Sequence, residues 1–244
     1  MLTELKAKGS NWLASDKKLK KLIVSAHYYL FKHRMWDRVL SLDTKNKFTE
    51  IYKNNLWNNE ESRSGGGSTL RRTVQIRAGL QELLVEQGIK SICDAGCGDF
   101  NWMKTAEIKN IKYIGVDVVN DLIVANKRRY EAGNISFIEL DIIHDDLPIV
   151  DLVLCREVLF HFSFQDVCAA IVNFKRSKSK YLLATHYPYI SDNIDIQTGR
   201  CRGINFQKAP LNFPAPVRTI EEDVSDHCLA LWRLDDVDPN KFWK

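Results

Sequence analysis

The sequence predicts an α/β protein: a mostly parallel β-sheet with helices on both faces, preceded by an N-terminal helical extension. Three observations carry that expectation. From Ile89 onward, short apolar and β-branched runs alternate with stretches of helical spacing, as in strands joined by crossover helices. Leu152-Val153-Leu154-Cys155 is hydrophobic without interruption, which suits a central strand covered on both faces. Ser91–Ala95 runs directly into a Gly-x-Gly turn at Gly96-Cys97-Gly98, where glycines let a backbone pass close under a ligand.

Residues 1–60 are rich in Leu, Lys, Ala and Trp, with no Gly or Pro between Ser10 and Asn59. They read as helices, an extension to the main domain at 61–244. Lys17-Lys18-Leu19-Lys20-Lys21 precedes the apolar run Leu22–Phe31. Such a helix can make a peripheral membrane contact, pack on the main domain with its lysines solvated, or form a homodimer contact. The short polar face and the aromatics favour packing. Asn58–Thr69 contains three consecutive glycines and is either a flexible linker or a ligand loop. Leu70–Arg77 reads as a helix start.

The strand-like runs are Ser91–Ala95, Lys112–Val118, Ile135–Ile142, Asp151–Cys155 and Tyr181–Thr185, each apolar and β-branched. Helical spacing occupies Trp102–Lys109, Asp121–Glu131 and Phe164–Phe174. Beyond Pro188, Pro210, Pro214 and Pro216 mark an irregular excursion before a last strand at Cys228–Leu234.

Composition narrows the function classes. A chain of 244 residues, 45% hydrophobic, suits one domain with an appendage. The net charge of +4 is too mild to announce a nucleic-acid binder, although residues 1–40 hold nine basic residues against three acidic ones. No apolar run approaches the roughly 20 residues that span a bilayer. Met1–Lys6 lacks signal-peptide features, so a cytoplasmic location is expected. The six cysteines show no C-x-x-C spacing; they are expected as free thiols, with no metal.

The chemistry gathers at three strand ends. Asp94 precedes the Gly-x-Gly turn; Asp117 ends the second strand, nineteen residues beyond Gly98, where a carboxylate can bond both hydroxyls of a ribose. The third strand ends in Glu139-Leu140-Asp141-Ile142, where a carboxylate can accept from an adenine amino group. A dinucleotide fingerprint would need glycine at position 101, and Asn101 stands there. Asp94 would repel a pyrophosphate but attract an ammonium. A ligand with a ribose, an adenine and an amino-acid head fits better, which points to S-adenosylmethionine over NAD.

Asp94-Ala95-Gly96-Cys97-Gly98, Asp117, Asp141 and Asp151–Glu157 resemble, in order, the motifs of class I S-adenosylmethionine-dependent methyltransferases. The resemblance spans about Leu70 to Leu234, and departs at Asp99, where many members have a third glycine. The phrases around Glu61–Thr69, Cys93–Trp102 and Cys155–Ser163 resemble bacterial methyltransferases of surface polysaccharides and small molecules. The resemblance implies a Rossmann-like, seven-stranded sheet with an antiparallel final strand. It implies S-adenosylmethionine as cofactor, S-adenosylhomocysteine as product, and contacts from Asp94, Ala95, Gly96, Cys97, Gly98, Asp117, Val118, Asp141, Ile142, Cys155 and Arg156.

Methyl transfer to oxygen needs a base. His161, after the fourth strand, is one candidate, the alternative being a packed histidine between Phe160 and Phe162. His186, after the fifth strand, is a second; Glu157 could serve instead or orient the histidine. Acceptor contacts are expected from Ser68 and Thr69, and from Tyr187, Arg200 and Arg202 in the excursion, where guanidinium forks suit phosphate or carboxylate. The expected acceptor is a carbohydrate, nucleotide sugar or phosphoryl-decorated glycan. An RNA or DNA methyltransferase, a non-catalytic adenosyl-ligand binding module and a nicotinamide dehydrogenase are the competing readings.

Overall fold

The structure, a computed structural model, describes residues 34–222 and 226–243. The basic stretch Lys17–Phe31, with the membrane and dimer contacts considered for it, lies outside the described residues. The chain divides into two compact units, Met1–Leu42 and Asp43–Lys244. In the first, residues 34–40 are helical. The second begins inside the stretch that the sequence assigns to an extension, and holds the whole sheet.

Its elements are α1 (Thr44–Lys53), α2 (Val74–Glu86), β1 (Ser91–Ala95), β2 (Lys112–Asp117), α3 (Asn120–Tyr130) and β3 (Ile135–Glu139), then β4 (Leu152–Cys155), α4 (Phe164–Arg176), β5 (Tyr181–His186), β6 (Arg218–Glu221) and β7 (Cys228–Arg233). The seven strands lie in the order β3-β2-β1-β4-β5-β7-β6. β1 to β5 are parallel, and β7 runs antiparallel to both β5 and β6. This is the expected Rossmann-like sheet. The order reverses between β1 and β4, and open α/β sheets bind ligands beyond the strand carboxyl ends at such a switch point.

Alternation along the strands divides the core between the two faces. Cys93, Ala95, Val116, Val153, Leu182 and Trp232 share one cluster with Ile171 and Phe174 of α4. Ile92, Tyr113, Phe137, Leu154, Leu183 and Leu231 share the other with Leu80 and Leu83 of α2 and Leu122 of α3. Ser163 caps α4, its side chain accepting from the Asp166 amide, a favourable N-cap.

Three expectations need correction. Trp102–Lys109 is not an α-helix: a single 3-10 turn spans Met103–Thr105. Phe100 has φ +59°, and the Thr105 hydroxyl closes the turn on the Trp102 carbonyl at 2.8 Å while accepting from Arg77. The apolar residues that suggested a helix, Trp102, Met103 and Ile108, are buried by this compact turn and the chain after it. β3 stops at Glu139, so Asp141 sits in the following turn. Finally, β6 forms inside the excursion, too short to announce itself; four residues at a sheet edge are held by β7 and by Arg218 on Glu82 and Glu86.

Candidate active site

A cavity opens over the carboxyl ends of β1, β2 and β4. Its lining includes Asp94, Gly96, Cys97, Gly98, Asp117, Val118, Asp141, Ile142 and Arg156 of the expected cofactor contacts, together with Ser68, Glu157 and His161. Ala95 and Cys155 are buried in the core and do not line it.

The glycine turn is built for close approach. Gly96 and Gly98 have φ of +86° and +56°; a Cβ on Gly96 would overlap Val158, and one on Gly98 would overlap Ser64. Because no helix follows at once, the amides here belong to a turn and not to a helix N-terminus. Asn126 of α3 holds the Gly98 carbonyl at 2.8 Å.

Asp117 accepts from the Gly98 amide at 3.1 Å and the Val119 amide at 3.0 Å, one bond per oxygen, so each oxygen keeps a lone pair for a ligand hydroxyl. Burial pushes its pKa up against those two bonds. Asp94 is buried and accepts from the Tyr113 hydroxyl at 2.6 Å. Burial raises its pKa to about 7, the Tyr113 bond acting the other way, so a cation placed there would draw it into the charged form. Asp141 caps its own turn, accepting from the Ile143 amide at 2.8 Å and meeting His144 Nδ1 at 2.9 Å. Glu139, the neighbouring carboxylate, is occupied by Lys45 and Asn120.

His161 closes the short turn after β4, half-buried and stacked on Trp57 with centroids 5.3 Å apart. Its Nδ1 lies 2.8 Å from the Arg200 carbonyl oxygen. A carbonyl only accepts, so Nδ1 carries the proton and Nε2 keeps its lone pair. Burial, aided by the Arg202 charge, lowers its pKa to about 4, so the ring is neutral at pH 7.

Glu157 has φ +54°, an uncommon backbone for a residue with a Cβ, fixed by its amide on the Thr185 hydroxyl at 2.8 Å. Its carboxylate is 3.6 Å from Arg156 Nη2 and 3.8 Å from His227 Nε2. Arg156 in turn is paired with buried Glu222 through two bonds of 3.3 and 2.8 Å and lies over the Trp102 ring. Burial opposes ionisation of Glu222, but His227 and Arg156 outweigh it and hold its pKa below the usual value. His227 shows the converse: burial opposes its charge, yet Glu222 and Asp226 raise its pKa. Glu157, Glu222 and His227 bring ligand-type atoms within 4.8 Å of one another, but the Arg156 guanidinium already supplies the positive charge between these carboxylates.

The remaining expected site residues sit elsewhere. His186 is buried in the core beside Trp232 and Phe206 and does not line the cavity. Its Nδ1 accepts from the Phe206 amide at 3.3 Å. Tyr187 packs on the His227 ring. Arg202 covers Phe164 and donates through Nε and Nη1 to the Ile194 and Leu159 carbonyls, while its Nη2 is buried without a hydrogen-bond partner and outside the cavity lining. Arg200 is exposed, and it meets His161 through its backbone carbonyl. The Thr69 hydroxyl turns back onto Gly66.

Residues missed by the sequence reading complete the walls. Thr44, Phe48, Tyr52 and Trp57 line the cavity from α1 and the chain after it. Lys45 on Glu139, Lys53 on Asp121 at 3.2 Å and Lys47 on the Thr198 carbonyl at 2.8 Å tie α1 across the strand ends. The i, i+4 spacing of Phe48 and Tyr52 signals one apolar helix face; nothing in it says which cavity the face borders.

The family profile described as a methyltransferase domain matches residues 93–180. No curated protein matches the sequence. Among solved structures, magnesium protoporphyrin IX methyltransferase from Synechocystis PCC 6803 with bound SAH is 15% identical. That match covers 87% of this chain and 99% of that one, with a TM-score of 0.51. The same enzyme with bound SAM is 16% identical over 87% and 96%, with a TM-score of 0.50. Human N-acetylserotonin methyltransferase in complex with SAM is 16% identical over 76% of this chain and 58% of that one, with a TM-score of 0.51. At such identities the structural likeness is one of fold, and the profile match covers the stretch that carries the glycine turn, Asp117 and β4. Residues 93–180 thus match the profile of a methyltransferase domain, and the fold around them is that of these solved methyltransferase structures.

Proposed function

We propose that the protein methylates a hydroxyl oxygen of a small molecule, using S-adenosylmethionine and releasing S-adenosylhomocysteine. One observation carries the reading: a single cavity is lined by the glycine turn, Asp94 and Asp117 together with His161, whose Nδ1 meets the Arg200 carbonyl. Gly96 and Gly98 leave room for the amino-acid end of the cofactor, Asp94 suits its ammonium, and Asp117 its ribose hydroxyls. When bound, the cofactor supplies a methyl group activated on a sulfonium. The protein's part is alignment and removal of the acceptor proton, which His161 Nε2 takes as the oxygen–methyl bond forms and the carbon–sulfur bond breaks. Glu157, at the same cavity, is the alternative base.

Resemblance to bacterial surface-polysaccharide methyltransferases makes a carbohydrate or nucleotide sugar the proposed acceptor. The arginines expected to hold its phosphate do not support that detail, since Arg200 and Arg202 lie outside the lining. Arg63 and Arg156, which do line it, are already bonded to the Tyr52 and Lys53 carbonyls and to Glu222. Among the described residues that line the cavity no arginine is left unbonded, which weighs against a nucleic-acid backbone there, since that would call for several cations. Among the described residues no helix is long and apolar enough to cross a membrane.

Calorimetric titration with S-adenosylmethionine and, separately, with NAD tests the reading. Saturable binding of the sulfonium ligand alone is expected. Asp117→Ala is expected to weaken it by about 1.5–3 kcal/mol, the scale of a hydrogen bond to a charged group. Binding of NAD alone, or an unchanged affinity in the variant, overturns the assignment of the β1 and β2 ends.

A further inference from the structure

Asp99 and Asn101 stand just past the glycine turn, and both are tied to one surface segment. The Asp99 carboxylate accepts from the Ser62 hydroxyl at 2.9 Å, the Arg63 amide at 2.9 Å and the Ser64 hydroxyl at 3.2 Å, and its own amide donates to Ser64 Oγ at 2.8 Å. Asn101 donates to the Glu61 carboxylate at 2.9 Å and to the Ser68 carbonyl at 3.0 Å, and Glu61 also accepts from the Leu70 amide at 2.6 Å. The segment 61–69 has no apolar side chain, so these polar bonds must do the holding. It crosses both halves of the site: Ser64 lies over Gly98, and Gly67 is so close to Glu157 that a Cβ there would overlap the carboxylate. Ser64 and Ser68 also face the cavity.

We propose that Asp99 is a positioning residue that clamps the 61–69 segment over the glycine turn, and that this clamp sets how tightly the donor ligand is held and where the Glu157 carboxylate lies. The clause about the donor rests on the proposed cofactor; the clamp itself does not. A glycine at position 99 would leave the Ser62 and Ser64 hydroxyls without their shared acceptor. With no apolar burial to replace it, the segment would lift and open the cavity at Gly98 and Glu157 together.

The test compares the full-length wild type with Asp99→Gly, Asp99→Asn and Ser62→Ala. Two readouts are taken: trypsin cleavage of the exposed Arg63–Ser64 bond, followed by mass spectrometry, and calorimetric affinity for S-adenosylmethionine. Asp99→Gly is expected to raise the cleavage rate about 10-fold or more and to weaken binding at least 10-fold, with the main thermal transition kept. Asp99→Asn retains one acceptor oxygen and is expected to recover part of both effects, a graded rescue that a bulk packing role would not produce. Should Asp99→Gly fail to fold, Asp99→Asn and Ser62→Ala carry the comparison. Cleavage and affinity like the wild type in all variants overturn the proposal, as does faster cleavage with unchanged affinity. If the wild type binds no S-adenosylmethionine, the cofactor assignment fails instead; faster cleavage in Asp99→Gly then upholds the clamp, and equal cleavage overturns it.

Discussion

His161 follows β4, and His186, expected just after the fifth strand, is instead the last residue of the neighbouring parallel β5; burial takes both to a pKa of about 4. Their surroundings give them opposite chemistry. His161 has a carbonyl at Nδ1, which leaves the lone pair on Nε2, and the residue lines a cavity. His186 has an amide N–H at Nδ1, so that nitrogen is the acceptor and Nε2 bears the hydrogen, in the core, with no protein partner. The tautomer is set by what the other nitrogen meets, and that is decided by the excursion after β5, which supplies both Arg200 and Phe206. One ring borders a cavity and the other is core packing.

The largest effect should come from the ring at the cavity. His161→Ala is expected to slow methyl transfer about 10²- to 10⁴-fold, the span of a general base, with cofactor affinity unchanged. Transfer of labelled methyl from S-adenosylmethionine into the accepting hydroxyl measures it. Because its pKa lies near 4, His161 is already deprotonated at neutral pH, and the rate at saturating substrate should stay flat from pH 8 to 6. Full activity in the variant would move the base to Glu157.

His186→Ala should reverse the pattern, costing about 2–5 kcal/mol of stability as a large-to-small core change while leaving transfer per folded molecule intact. Denaturant unfolding checks it. The neutral ring also has a pH signature. Its folded pKa lies below the unfolded value of 6.5, so its contribution is complete above 6.5 and is lost as pH falls towards 4. The variant should lose that part of the acid sensitivity.

A smaller and reversible effect separates binding from catalysis. Asp94 titrates near 7 in the folded protein because it is buried, and the α-amino group of the ligand near 8. Cofactor affinity should therefore peak between those values and decline by up to tenfold per unit below pH 7, where Asp94 takes up a proton. Calorimetry at pH 6, 7 and 8 reads it, and Asp94→Asn should abolish the acid limb. The stability term has the opposite sense: with its folded pKa raised, Asp94 stabilises the fold at low pH and loses that contribution as pH rises from about 4 to 7.

The contrast between the two histidines also explains what was legible in the sequence. β1, β2, β4, β5 and β7 announce themselves because a covered strand must be apolar over its whole length, and Asp117 because a carboxylate at that distance from Gly98 has few other uses. The function of a polar residue was legible only where its partner lay nearby in sequence. Asp99 looked like a defect in a glycine pattern, since Ser62 and Ser64 lie more than 30 residues away. α1 looked like an appendage, yet its lysines find Glu139, Asp121 and Thr198. The helix expected at Trp102–Lys109 had the right apolar residues, but a left-handed Phe100 and the Thr105 hydroxyl close the turn after three residues. Arg202 looked like a phosphate fork, and the fold uses it to satisfy loop carbonyls over Phe164.

The smallest expected effect tests the backbone argument behind the whole comparison. Arg200 was singled out for its guanidinium, yet the structure uses its carbonyl oxygen, which every residue has. Arg200→Ala should therefore keep the His161 tautomer, leave stability within about 0.5 kcal/mol as for other exposed substitutions, and leave transfer unchanged at saturating acceptor. Arg200→Pro keeps the carbonyl as well but removes the amide that donates to the Gln197 carbonyl at 3.1 Å. It should loosen the loop and with it the orientation of His161. Normal transfer in the alanine variant beside a slowed proline variant would show that loop geometry, not side-chain charge, makes the base at β4 differ from the buried ring at β5. Loss of activity in the alanine variant would return the guanidinium to the acceptor site and undo that distinction.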